Sequence, residues 1–99
     1  MTNVVRDVFL AFARVHILHH ANGERIFGVG MMKELARHGY KVGPGTLYPL
    51  MHRLVSDGLL TSEALRENGR SRKYYVITRK GRLALSRIRP KLKELVSEV

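Results

Sequence analysis

The chain has no cysteine and no tryptophan, only three prolines, and 8 acidic residues against 18 lysines and arginines in 99 positions. Without cysteine there is no disulfide, no thiolate metal site and no cysteine nucleophile, and nothing points to secretion. Without tryptophan, a flat compound has no indole to stack on. The longest wholly apolar run near the start, Val8 to Ala13, falls well short of the ~20 residues that span a bilayer and is flanked by Asp7 and Arg14. A cytoplasmic protein with no membrane partner is expected. Catalysis lacks its usual parts too: no serine lies in a nucleophile elbow, no carboxylate pair stands out, and neither GVG (28–30) nor GPG (43–45) is a nucleotide-type phosphate loop. Neither an enzyme nor a cofactor is expected.

What the chain does have is positive charge, a formal +10. It is concentrated in the last third, from Arg66 to Lys93, where Glu67 and the closing Glu94 and Glu98 barely oppose it. An anionic partner follows, and nucleic acid is favoured over a lipid surface or a merely solvated face. Ninety-nine residues make one small domain, near the size at which a second subunit helps stability.

From Val4 to about His20, the apolar residues Val4, Val5, Val8, Phe9, Phe12, Val15, Ile17 and Leu18 cover more than one helical face. A helix this apolar needs cover on two sides. Val8, Phe9 and Phe12 are therefore expected at a contact with a second copy, with burial inside the chain as the alternative. Residues 21–25, ANGER, read as a turn around Asn22-Gly23. A second helix is predicted from about Phe27 to His38, with Met31, Met32, Leu35 and Ala36 inward and Gly39 as its stop. A third runs from about Pro44 to Asp57, stopped by Gly58. Leu47, Leu50, Met51, Leu54 and Val55 form its inward set, and Thr46, Tyr48, Pro49, His52, Arg53 and Ser56 face away.

The start of that third helix, GPGTLYP, is unusual. Gly43 reads as the cap and Pro44 as the first helical residue, where a missing N–H costs nothing. Gly45, with no side chain, lets an anion approach the exposed N–H groups of the helix start. A rigid corner between helices is the plainer reading. Pro49 leaves two options: a helix that begins at Thr46 as cap, or a kinked first turn.

After Gly58 the period changes from helical to alternating. Asn68-Gly69 is the preferred two-residue hairpin turn, and folding about it sets Glu67 opposite Arg70, Leu65 opposite Arg72, Ala64 opposite Lys73, Ser62 opposite Tyr75 and Leu60 opposite Ile77. Leu60, Tyr75 and Ile77 then rest on the helices, while Arg66, Arg70, Arg72 and Lys73 project as a basic finger. Tyr74 and Tyr75 point to opposite sides, with Tyr75 assigned to the core. From Thr78, a plausible cap, a helical pattern resumes to Val99. Leu85, Ile88, Leu92, Leu95 and Val99 trace a coiled-coil style seam that suits a second copy, interrupted by Pro90 with a kink or two shorter helices near Arg89.

Three helices, a hairpin and a closing helix give a mainly α fold with a β-hairpin: a winged helix-turn-helix domain over residues 1–78 and a dimerisation helix over 79–99. Such a fold puts its third helix in the major groove and its hairpin on backbone or minor groove.

The stretches GPGTLYPLMHRL, DGLL and SRKYYVITRKGRLAL resemble the PadR family of bacterial and archaeal transcription regulators over residues 43–85, with Val29 where a tyrosine is usual and Val55 where the signature has an acid. The short tail resembles the small subgroup of that family. The resemblance implies a homodimer held by the first and last helices, usually a repressor and often relieved by a small-molecule effector. It also implies that Thr46, Tyr48, Pro49, His52 and Arg53 meet the major groove or its phosphates, with Arg70, Arg72 and Lys73 as wing contacts. Lys41, Gly45 and Ser71 complete the expected DNA-binding set, and Val8, Phe9, Phe12, Leu85, Ile88, Leu92 and Leu95 the expected dimerisation set. Arg53 either pairs with guanine or bridges to Asp57 one turn on.

His16, His19 and His20 sit three and four residues apart, a spacing that lets two imidazoles share a metal. No third protein ligand is in sight, so no metal is expected and a polar or interfacial edge of the helix is the plainer reading. The rival function is a winged-helix module that binds protein or RNA and uses its charge only for attraction.

Overall fold

The structure, a computed structural model, describes residues 2–99. Its elements run α1 (Asn3–Gly23), β1 (Ile26–Phe27), α2 (Gly28–Arg37), α3 (Pro44–Ser56), β2 (Leu60–Glu67), β3 (Arg70–Ile77) and α4 (Arg79–Glu98). The three strands form an antiparallel sheet in the order β1-β3-β2. This is the winged helix-turn-helix with a closing helix.

Two helices begin at side-chain caps and two end at glycine stops. The Thr2 hydroxyl accepts from the Val5 N–H to cap α1, and the Thr78 hydroxyl accepts from the Gly81 N–H to cap α4. Helices α2 and α3 end alike. The N–H of Tyr40 reaches back to the Leu35 carbonyl and that of Gly39 to Ala36; Leu59 and Gly58 do the same to Leu54 and Val55. Both are glycine-terminated stops with positive φ, 87° at Gly39 and 79° at Gly58. Lys80 then donates to the Asp57 carbonyl at 2.9 Å, and Thr78 donates to the Gly58 carbonyl, tying the end of α3 to the start of α4.

The hairpin register is the expected one, from Leu60 opposite Ile77 to Glu67 opposite Arg70, and Asn68 and Gly69 both take positive φ. The core is assembled from every element: Ala13, Ile17 and Leu18 of α1, Met31 and Leu35 of α2, Leu47, Met51 and Leu54 of α3, Leu60, Tyr75 and Ile77 of the hairpin. Helix α4 joins it through Leu85 and Gly81. A Cβ at Gly81 would collide with the Leu59 carbonyl, so the helix can lie against the hairpin only with glycine there.

Several sequence expectations change. Helix α1 does not stop at His20 but runs to Gly23, because Ala21 is buried and its packing outweighs the Asn-Gly turn signal. Phe27 does not open α2. It is extended, pairs with Tyr74 in a strand the sequence reading lacked, and serves as the cap residue. Ala36 is exposed rather than inward, whereas Met31 and Leu35 are buried as expected. Helix α3 begins at Pro44 with Gly43 as cap, which excludes a start at Thr46, and Pro49 lies inside it. Helix α4 is a single helix with Pro90 inside it, not two. Pro90 and Ser86 are both exposed, so the carbonyl that proline leaves without a helical partner can be met by water.

Candidate nucleic-acid interface

Helix α3 buries Leu47, Met51 and Leu54 and turns the opposite face outward. Pro49, His52, Arg53 and Ser56 are exposed, and Thr46 and Tyr48 are half-buried. Tyr48 is more constrained than the sequence suggested. Its phenol lies over Gly28 at the start of α2, where any Cβ would collide with the ring and hydroxyl. Arg53 takes the structural alternative in this state, its Nε 3.4 Å from the Asp57 carboxylate, with both side chains largely exposed. An exposed pair of this kind is worth little, so the guanidinium can exchange it for another acceptor.

At the start of α3 no side chain caps the helix. The Thr46 and Leu47 N–H groups both return to the Gly43 carbonyl, at 3.1 and 2.9 Å. Gly45 is exposed, has no positive φ, and a Cβ built on it meets nothing within 4 Å. Nothing inside the chain therefore requires glycine at this position, and a helix pays in stability for having one there. The rigid-corner reading does not account for it.

The hairpin carries its cations on two faces, because directly opposed residues share a side of the sheet and successive residues alternate. Arg66, Ser71 and Lys73 continue the face of Tyr75 and Leu60, with the Lys73 ammonium 5.7 Å from the Tyr75 ring centre. Arg70 and Arg72 lie on the other face with Tyr74. That face is built up by β1: the Arg72 guanidinium sits 4.3 Å from the Phe27 ring centre, and Arg25 sits 5.1 Å from that of Tyr74 while pairing with Glu63 at 3.6 Å. The Tyr74 hydroxyl donates to the Glu67 carboxylate at 3.1 Å. Tyr75 is in the core as assigned, and burial pushes its hydroxyl pKa up, with Tyr48 adding to the shift. Arg70, Ser71, Arg72 and Lys73 are all exposed, as is Lys41 in the α2–α3 connection. Arg66, which the sequence placed in the finger but not in the contact set, is also exposed on the Lys73 side.

Of the apolar residues expected between copies, Val8 and Phe9 are exposed, Phe9 by 48%, and Phe12 is half-buried. On α4, Leu95 is 52% exposed and Ile88 and Leu92 are half-buried. Leu85 departs from the expected seam: at 1% exposure its side chain is spent in the core of its own chain. Val4 and Val96 extend the uncovered apolar surface beyond the residues singled out. Phe9 also lines a cleft of about 280 Å³ with Leu10, Tyr40, Val42 and Thr46. Among the described residues, no helix is long and apolar enough to cross a membrane.

The histidines of α1 are not alone. His16 and His20 face His38, the residue that ends α2, and the Glu34 carboxylate lies 3.5 Å from His20 and 3.4 Å from His38. Burial lowers the pKa of His16, and the neighbouring His38, His20 and His19 lower it further. Burial also lowers that of His20, against the opposing pull of Glu34. His19 instead turns toward Arg89, 3.3 Å away.

Comparison with known proteins agrees with this architecture. Residues 17–87 match the transcriptional regulator PadR-like family. The chain is 50% identical over 95 residues to the transcriptional regulator Rv3488 of Mycobacterium tuberculosis, covering 96% of this chain and 89% of that one. It superimposes on a PadR family transcriptional regulator from Eggerthella lenta with a TM-score of 0.83 at 33% identity, covering 96% of this chain and 84% of that one. A PadR-like transcription factor from Bacteroides fragilis gives the same TM-score at 31% identity, over 98% and 95% of the two chains. With the signature of residues 43–85 carried on a helix-turn-helix and a basic wing, the chain belongs to the PadR-like family of transcriptional regulators, DNA-binding proteins that are not enzymes.

Proposed function

We propose that this regulator acts as a homodimeric, sequence-specific repressor, with α3 in the major groove and the wing on backbone or minor groove. The observation that carries the reading is the outward face of α3, with Pro49, His52 and Arg53 exposed and Thr46 and Tyr48 at its half-buried edge, beside a glycine that the chain itself does not need. Base edges are read from that face, Arg53 leaving Asp57 for guanine. Phosphates are held by the N–H of Gly45, by Lys41, and by Arg70, Ser71, Arg72 and Lys73.

The dimer is supported by the uncovered apolar residues of α1 and α4, Val8, Phe9 and Leu95, with the half-buried Phe12, Ile88 and Leu92 at their margins. Residues 1–78 read DNA and 79–99 join the copies, although the first turns of α4 also seat in the common core. The repressor direction is the one the family resemblance implies. A small-molecule effector has a place to act in the cleft beside Phe9 and Tyr40, which adjoins Thr46 of α3.

The test is selection of bound duplexes from a random pool at near-physiological salt, followed by titration of the best and scrambled sites. The expected result is an inverted repeat whose half-sites lie about one helical turn apart, with the scrambled site about a thousandfold weaker. Failure to enrich any sequence, with only weak salt-sensitive binding, overturns this reading in favour of a module that binds protein or RNA.

A further inference from the structure

The side chains of His16, His20 and His38 each offer a ring nitrogen, and these atoms all lie within 4.8 Å of one another. They come from two elements. His16 and His20 are one turn apart on α1, and His38 is the residue at which α2 ends. The His16 and His38 rings stack with centres 4.7 Å apart, and His16 meets Tyr40 edge-on at 5.2 Å. Glu34, one turn before His38, places Oε1 3.5 Å from His20 Nε2 and 3.4 Å from His38 Nε2. Arg37 holds that carboxylate through Nη1, 3.0 and 3.2 Å from its two oxygens.

Nothing in DNA recognition uses this cluster. It also puts three basic rings together in a chain of net charge +10, where an apolar contact between α1 and α2 would cost less. We propose that His16, His20, His38 and Glu34 form a binding site for a divalent first-row transition metal of the zinc class, pinning α1 to the end of α2. Three imidazoles and a carboxylate are a donor set that suits such an ion. Around a tetrahedral ion with bonds of ~2.0–2.1 Å, neighbouring nitrogens sit about 3.3 Å apart, so the rings close by up to about 1.5 Å through side-chain rotation. Arg37 then acts as the outer partner that orients the ligating carboxylate. The closing rings also gather the Gly39–Tyr40 turn, which leads directly to Lys41 and α3.

The experiment uses the untagged 99-residue chain, freed of metal by a chelator and titrated with Zn²⁺ in a calorimeter, with Co²⁺ as a spectroscopic stand-in. The expected result is one ion per chain and, with Co²⁺, the intense visible bands of a four-coordinate site. His38→Gln, at an exposed position that leaves the fold intact, and His20→Gln are each expected to weaken binding by more than the ~10–100-fold typical of losing an outer-shell partner. His19→Gln is expected to titrate as the parent does. Absence of saturable Zn²⁺ binding by the parent chain overturns the proposal, and so does undiminished binding by the His20→Gln, His38→Gln double variant.

Discussion

Gly45→Ala separates what the fold needs from what DNA needs. The residue is the second of α3, after the cap Gly43 and the proline at position 44. Its side is open, with nothing within 4 Å of an added Cβ, and its φ is not in the left-handed region. Alanine in a helix is worth about 0.5–1 kcal/mol over glycine, and the low end applies in a first turn. At about 4–8 °C per kcal/mol for a domain of this size, a gain of about 0.5 kcal/mol raises Tm by about 2–4 °C. Urea or thermal unfolding at fixed protein concentration measures it, the concentration being held because a dimer's apparent stability depends on it.

DNA binding moves the other way. A methyl group at this point holds a phosphate away from the Gly45 N–H, and a hydrogen bond to a charged group is worth about 1.5–3 kcal/mol. At 1.4 kcal/mol per decade, the affinity falls about 10- to 100-fold for each half-site contacted. The loss is expected to be equal on selected and scrambled duplexes, because phosphate contacts carry no sequence information. A variant that is more stable and binds DNA as tightly as the parent refutes the phosphate contact. A variant that is less stable refutes the claim that the chain has no use for glycine there.

Three further outcomes follow from the same geometry. Arg70→Ala with Arg72→Ala, and separately Arg66→Ala with Lys73→Ala, strip one face of the wing at a time; each lost phosphate contact flattens the log–log salt dependence of binding by about 0.9, and an unchanged slope in both removes the wing from the mechanism. Leu95→Asp places a charge on an exposed part of α4 without touching the core, so sedimentation is expected to report a monomer, and an unchanged mass rejects Leu95 as a contact. Tyr75→Phe removes a buried hydroxyl that has no hydrogen-bond partner among the described residues, and it is expected to leave stability unchanged or raise it by up to about 1 kcal/mol in chemical denaturation; a loss of more than about 1 kcal/mol means that the hydroxyl is satisfied after all.

Charge distribution explains why the basic finger stays available rather than collapsing onto the protein. Its acidic neighbours are already engaged: Glu63 by Arg25, and Glu67 by the Tyr74 hydroxyl. Arg72 lies over the Phe27 ring, a cation–π contact that gives the guanidinium no acidic partner to hold it.

Local physics was legible in the residue order. The hairpin and its register follow from Asn68-Gly69 and a period of two, because a tight turn and side-chain alternation permit only one pairing. The ends of α2 and α3 follow from Gly39 and Gly58, whose left-handed backbone other residues adopt only with strain. The outward face of α3 follows from the spacing of Leu47, Met51 and Leu54. What was not legible depends on residues far apart in the chain. Strand β1 is two residues long, too short for any period, and exists only because β3 is there to pair with it. Leu85 has the spacing of a seam on α4 but is buried in the core of its own chain, and Ala21 stands in a turn-like stretch but is buried as well. His16 and His20 lacked a third ligand in the sequence because His38 and Glu34 belong to another helix. Only the packing of α2 against α1 brings those rings and that carboxylate together, since contact between helices is set by the shape of the whole core and not by spacing along either one.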